Sequence, residues 1–334
     1  RQDVAFTDGA AFNAESVKAI LDFDRSNPNF SGIKGIYNIE SVEVVDEYTV
    51  AVHYAAPCFS YINDFCFQNV AGMMSPNVFE AENLQTFTDV VGTGPYIREE
   101  MISGDCTRFV RNENYWGEAP YYDEVVIKYI PEASSRLQAL QTGEVDLIYC
   151  ADLLSYDDYN QALSLDGIEG AINDGNTLTR NLVLNASSEI LSDLKVRQAI
   201  AYAVNKEEIT KGLTYGYETP ATSLFAPGAP YTDITYNSTW SYDLDKANEL
   251  LDEAGWVMNE STGIREKDGQ QLSLNYTYWT DLSLAQDMAL AIKTQLAEVG
   301  IDVTTTGQDQ MTWWTEGVAG NYDITTWNTE GSYT

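Results

Sequence analysis

Apolar residues recur along this chain with two periods. Val196, Ala199, Ile200, Ala203 and Val204 are spaced i, i+3, i+4, i+7 and i+8, which is one face of a helix, with Ser192 as its expected cap. Ala285, Met288, Ala289, Ile292, Leu296 and Val299 mark another helix over 284–299, ended by Gly300. Further helices are predicted over 14–23 behind Asn13, over 133–141 before Gly143, and over 244–254 before Gly255. Between them lie runs that read as strands: 4–6, 39–45, 48–54, 94–98, 107–111, 125–130, 145–149, 182–184 and 301–305. Asp46-Glu47 between two of these runs predicts a hairpin, and the alternation over 86–175 predicts βαβ units. Trp313-Trp314 falls on a helix before Gly317, with at least one indole expected in the core. The chain is of the α/β class.

A length of 334 residues accommodates two or three domains. Formal net charge is −33, from 51 acidic against 18 basic residues. Such a balance opposes binding to nucleic acid, which draws on Lys and Arg, and adsorption to an anionic membrane. No run reaches the roughly 18 apolar residues of a membrane span. The chemistry of common enzymes is also missing from the sequence. Gly92-Thr-Gly94-Pro starts like a dinucleotide loop, but the third glycine position is Ile97 and the segment enters a strand. His53 is the single histidine and sits in an alternating strand, so a catalytic triad has no support. No G-x-S-x-G, H-E-x-x-H or P-loop occurs. Cys58, Cys66, Cys106 and Cys150 form no C-x-x-C pair; disulfides and free thiols both remain open, and zinc has no ligand spacing. Asp243 to Asp245 begins like a calcium loop without its glycine or terminal glutamate, and reads as a helix start with favourable charge. Paired carboxylates in an acid-rich chain leave a glycosidase as a remote alternative.

Three ordered segments carry a stronger signal: VGTGPY with RFVRNENYWGEAP (91–96 and 108–120), LQALQTGEVDLIY (137–149) and LKVRQAIAYAVNKEEI (194–209). In this order the chain resembles the extracytoplasmic solute-binding proteins of peptide and nickel ABC transporters, family 5. Its FVRNENYWGE, LFAPGAPY and IREKDGQ stretches are most similar to the nickel-binding branch. The resemblance implies a periplasmic-binding-protein-like fold of two lobes closing over a solute, with an extra domain on the first. Residues 1–85 correspond to that extra domain, 86–175 to lobe one and 176–334 to lobe two. RQDVAFTDGAAFNAE is internal in the family, and the family continues past Thr334, so the chain is expected to be truncated at both ends.

The resemblance also implies a site. One part lies around 67–72, where the nickel-binding branch carries an arginine for a chelate carboxylate and this chain has Asn69. Asparagine cannot make a bidentate charge clamp. The branch's metal-ligating histidine would lie past Thr334. The other part is YDITTWNTEGSY (322–333), where peptide binders place an acid that pairs with the ligand's α-amino group; Glu330 falls near it, flanked by Trp327, Thr329 and Tyr333. Tyr115 and Trp116 of NENYW are expected to pack the loop. The implied function is capture, without chemistry, cofactor or protein-bound metal, of a short peptide or other amine-bearing solute by a monomer. The monomer delivers it to a membrane permease, at the periplasmic or lipid-anchored outer face of the cell membrane. A nickel chelate is the alternative solute, and a sensor or adhesin on the same fold is a third possibility.

Overall fold

The computed structural model describes residues 1–27, 33–59, 61–67, 72–79, 89–149, 154–172, 178–225 and 240–330. The chain divides into two compact units, residues 1–130 and residues 131–332.

In the first unit Asn13 closes a capping box: its side chain accepts from the Ser16 N–H while the Ser16 hydroxyl accepts from the Asn13 N–H. Helix α1 (Ala14–Ser26) follows, then a short α2 (Lys34–Tyr37). Strands β1 (Ile39–Asp46) and β2 (Thr49–Tyr54) form the expected antiparallel hairpin, and the Asp46 carboxylate accepts from the Tyr48 N–H across its turn. Leu21, Ile39 and Val42 bury a small core between helix and hairpin. Helix α3 (Tyr61–Phe67) and a 3₁₀ turn (Pro76–Phe79) come next. Residues 4–6 contribute only an isolated bridge, Ala5 to Ala11.

Strands β3 (Tyr96–Ile102), β4 (Cys106–Arg111) and β5 (Glu124–Lys128) form an antiparallel sheet in that order. This corrects the βαβ expectation for this region: no helix lies between these strands, and each pairs antiparallel with its neighbour through a turn or loop. The NENYW loop ties this sheet to the GTGP turn. Buried Asn112 donates from its backbone to Pro95 O (2.8 Å) and from its side chain to Gly94 O (2.9 Å), and the Trp116 indole donates to Thr93 O (2.9 Å). The supposed dinucleotide turn and the family hallmark are thus two halves of one loop contact.

The second unit opens with α4 (Ala133–Gln141), closed by Gly143 at φ 71°, and α5 (Tyr156–Leu163). Residues 145–149 form no strand, and Leu147 and Tyr149 are 72% and 85% exposed, which corrects the buried strand expected there. Strand β6 (Leu178–Leu184) precedes α6 (Leu194–Ala203), whose cap is Asp193 rather than Ser192. The Ser192 hydroxyl instead donates to Glu189 O. After α7 (Lys206–Leu213), α8 (Leu244–Glu253) starts with Asp243 accepting from the Lys246 N–H, as a helix start and not a calcium loop. A small sheet of β7 (Val257–Asn259), β8 (Ile264–Lys267) and β9 (Gln270–Gln271) leads to β10 (Ser273–Trp279), α9 (Ala285–Ala297), β11 (Asp302–Gln308), α10 (Gln310–Ala319) and β12 (Ile324–Glu330).

The main sheet has the order β11-β10-β12-β6, with β10 parallel to both neighbours and β6 antiparallel to β12. The predicted faces of α6 and α9 are buried together with Leu250, Leu251, Leu274, Tyr276 and Ile324 in one core on one side of this sheet. Tyr276 is fully buried and its hydroxyl meets that of Thr326; burial pushes its pKa up to about 12. Among the described residues no helix is long and apolar enough to cross a membrane.

Candidate functional site

Helix α9 carries the chain from β10 outward to β11, and α10 brings it back past β10 to β12. Strand order therefore reverses at β10. In open α/β sheets the crevice outside the carboxyl ends of the strands at such a point is where ligands bind. Here that edge comprises Trp279 to Asp281, Gln308 with Asp309, and Trp327 to Glu330. The first two segments are joined by the Thr280 N–H donating to Gln308 O at 2.9 Å.

Side chains on successive strand positions point to opposite faces. On the α10 face, Trp313 is buried with its ring stacked on Trp327 at 4.9 Å and on Trp279 at 6.3 Å, both at 26°. Trp314, on the exposed side of α10, tilts against Trp327 at 5.3 Å. The Trp313 indole donates to the Thr325 hydroxyl (2.9 Å), which donates to Thr277 O (2.9 Å), so α10 is tied to both central strands. The Trp279 indole donates to the Asp281 carboxylate at 3.3 Å. Asp309 caps α10 and accepts from the Thr312 hydroxyl and from the N–H groups of Thr312 and Met311; the Thr312 hydroxyl bond is the main cause holding its pKa below the usual value.

Two amide oxygens at this edge are buried without a hydrogen-bond partner among the described residues, Gln308 Oε1 and Asn328 Oδ1. A buried acceptor left open is a place for an incoming donor. Asn328 stands opposite Arg180 of β6, and Arg180 binds the carboxylate of Glu218, which also accepts from the Tyr156 hydroxyl at 2.9 Å. A shallow depression of about 480 Å³ lies at the opposite edge of the sheet, but there the Asn185 amide donates to Gly320 O and Tyr322 O, and Asp323 accepts from the Asn275 N–H.

Of the residues expected from the sequence, Trp327, Thr329 and Glu330 share β12 and end at this edge, with Glu330 in register with Leu178. Asn69 and Tyr333 lie outside the described residues. Trp279, Trp313, Gln308, Asn328 and Arg180 were not expected. The alternation of SLNYTYW, which makes β10 and ends on Trp279, is the signal that would have found the first. His53 is half exposed on the hairpin, 3.4 Å from Glu43, and Cys66 and Cys106 are free thiols. Among the described residues no three His, Cys, Asp or Glu side chains gather as a metal site.

The same fold and sequence pattern recur in known proteins. Residues 1–334 match the family described as bacterial extracellular solute-binding proteins, family 5 middle. The nickel-binding periplasmic protein of Escherichia coli (strain K12) is 29% identical over 316 residues, 93% of this chain and 59% of that protein. The glutathione-binding protein GsiB of Salmonella typhi is 31% identical over 315 residues, 92% of this chain and 57% of that protein. The crystal structure of NikA from Brucella suis in complex with Fe(III)-EDTA superposes with a TM-score of 0.90 at 31% identity, over 98% of this chain and 66% of that one. The chain thus spans somewhat more than half the length of these relatives. It belongs to the bacterial extracellular solute-binding proteins, family 5.

Proposed function

We propose that this chain supplies much of the solute-holding part of an extracytoplasmic binding protein that serves an ABC importer, and that its solute is a short peptide or another amine-bearing molecule. The observation that carries this reading is the chemistry of the carboxyl edge. Segments 279–281, 308–309 and 327–330 present carboxylates, open amide oxygens and indole faces, and no basic side chain. Such an edge accepts hydrogen bonds and donates few, so it favours an ammonium or amide N–H over an anionic chelate. That one relative is named for glutathione, itself a small peptide, agrees with it. The relatives are binding proteins, and the role proposed is capture rather than catalysis. A membrane permease is the partner to which the solute passes, from a monomer held at the periplasmic or lipid-anchored outer face of the membrane. The division into 1–85, 86–175 and 176–334 is kept as the proposed domain plan.

A nickel chelate is the second reading, favoured by the name of the 29%-identical relative. The test is native mass spectrometry of the protein expressed from its complete gene, compared with its denatured mass. Extra mass that fragments as peptides supports the first reading. A nickel-bearing adduct reverses the order, and a bare protein that also takes up neither class in titration rejects both. Within the first reading, Glu330→Gln is expected to weaken an amine-bearing solute by about 2–5 kcal/mol, because it removes the charge that would pair with a desolvated ammonium. Unchanged affinity in calorimetry would remove Glu330 from the site.

A further inference from the structure

Helix α5 and the turn that follows α7 meet through their tyrosines. The turn 214–218 reads TYGYE, and both Tyr215 and Gly216 take left-handed backbone angles, φ 54° and 80°. A tyrosine in that region carries strain. Both tyrosines of this turn reach α5. The Tyr215 hydroxyl donates to the Asp157 carboxylate, and the Tyr217 hydroxyl donates to Asn160 Oδ1 at 2.9 Å. The Tyr217 ring stacks on Tyr156 (5.4 Å, 23°) and meets Tyr159 edge-on (5.7 Å, 87°). Tyr156, Tyr159 and Asn160 are spaced i, i+3, i+4, one face of the helix. The Tyr156 hydroxyl completes the contact by donating to Glu218 at 2.9 Å. Glu218 is itself held by Nε and Nη2 of Arg180, which stands opposite Asn328 at the carboxyl edge. Tyr215 and Tyr217 are 58% and 41% exposed, so each bond forms within reach of water and is weak alone. Contacts that are weak singly and gathered on one helix face suit a joint that must come apart.

We infer that this tyrosine clasp is a detachable fastening between the proposed lobes: it holds α5 against the 214–218 turn and stabilises the arrangement that retains solute. The inference rests on the solute-binding reading and on the proposed domain plan, in which α5 belongs to 86–175 and the turn to 176–334. Both segments fall within one compact unit of the structure, residues 131–332, as such a fastening requires. Glu218 joins the clasp to the carboxyl edge through Arg180. Solute held at that edge and a closed clasp therefore favour the same arrangement, and loss of the clasp lowers the population that binds.

The experiment is small-angle X-ray scattering of the solute-free protein from its complete gene, with calorimetric titration of Ala-Ala-Ala alongside. The parent is compared with Tyr217→Ala, Tyr217→Phe and Tyr215→Phe. Tyr217→Ala removes both the stacked ring and the Asn160 bond. It is expected to enlarge the radius of gyration and to weaken the peptide roughly two- to tenfold. Tyr217→Phe keeps the ring and loses only the hydroxyl, so it is expected to fall between the parent and Tyr217→Ala. Tyr215→Phe, which loses the Asp157 bond, is expected to shift both readings the same way. A merely structural role would lower the melting temperature and leave the radius and the affinity at parental values, which overturns the clasp. A smaller radius or tighter binding in the variants would mean that the contact holds the lobes apart, and overturns it as well. Scattering that does not change while the peptide binds rejects the clasp and leaves solute binding standing. Scattering that responds while the parent takes up no peptide keeps the fastening and rejects its link to that solute. If Tyr217→Ala does not fold, the two phenylalanine variants still decide.

Discussion

At the residue scale, two buried ionisable groups differ in how fully their polar atoms are partnered among the described residues. Arg265 is 3% exposed and its guanidinium is fully engaged: Nε donates to Val299 O at 2.9 Å, Nη2 to Asn248 at 2.8 Å, and Nη1 to Trp256 O and Asp252. Removing it strands buried carbonyls, so Arg265→Ala is expected to cost about 3–5 kcal/mol in denaturant unfolding. Asp252 is largely exposed, and Asp252→Ala should cost under about 1 kcal/mol; similar losses for the two would show that the pair, and not the carbonyl contacts, matters. Asp24 is equally buried, in the last turns of α1, and its Oδ2 has no hydrogen-bond partner among the described residues. Burial pushes its pKa from 3.8 to about 7. The folded state therefore holds this proton where the unfolded state has lost it, so the stability that the protonated group contributes is present below pH 4 and is lost as pH rises through 7. Asp24→Asn is expected to raise the melting temperature at pH 8 and to change it little at pH 4.5. An increase of equal size at both values would sink the titration argument.

At the element scale, helices with a wide apolar stripe were legible and their neighbours were not. The stripes of α6 and α9 and the stop at Gly300 could be read from spacing alone, because their core faces follow a single period. Strand β10 and helices α5 and α7 are not predicted by the spacing, and the strand expected over 145–149 does not form: a short apolar run does not say whether a partner strand stands beside it. Gly300 shows how firmly one element end is set. Its φ is 79°, and an added Cβ would lie 2.7 Å from Met258 Cε and 2.8 Å from Arg265 Cγ. Gly263 has a similar φ of 73° with nothing within 4 Å. Gly263→Ala is expected to cost about 1 kcal/mol from backbone strain alone, and Gly300→Ala clearly more, about 2–4 kcal/mol, since β8 must also shift. Equal costs in urea unfolding would mean that β8 yields freely.

At the scale of the whole molecule, the candidate site was legible only where the chain itself is contiguous. The run 322–333 was implied by the family resemblance as one contiguous stretch, and its residues 324–330 form β12. Trp279, Gln308 and Trp313 come from other elements, and only the reversal of strand order at β10 gathers them with Trp327. Net charge acts at the same scale but without an address. A charge of −33 sets a negative field around the protein, and the basic residue at the carboxyl edge, Arg180, is paired with the Glu218 carboxylate. Such a field speeds the arrival of cations by tenfold or more and is screened over about 8–10 Å at physiological salt. The association rate of a lysine-containing peptide is therefore expected to fall steeply between 10 and 150 mM NaCl in stopped-flow tryptophan fluorescence. That of an uncharged peptide should change little over the same range, because only the charged solute responds to the field. Parallel behaviour of the two would show that solute enters by a path shielded from the protein's charge, and would leave the amine preference to Glu330 and the open amide oxygens alone.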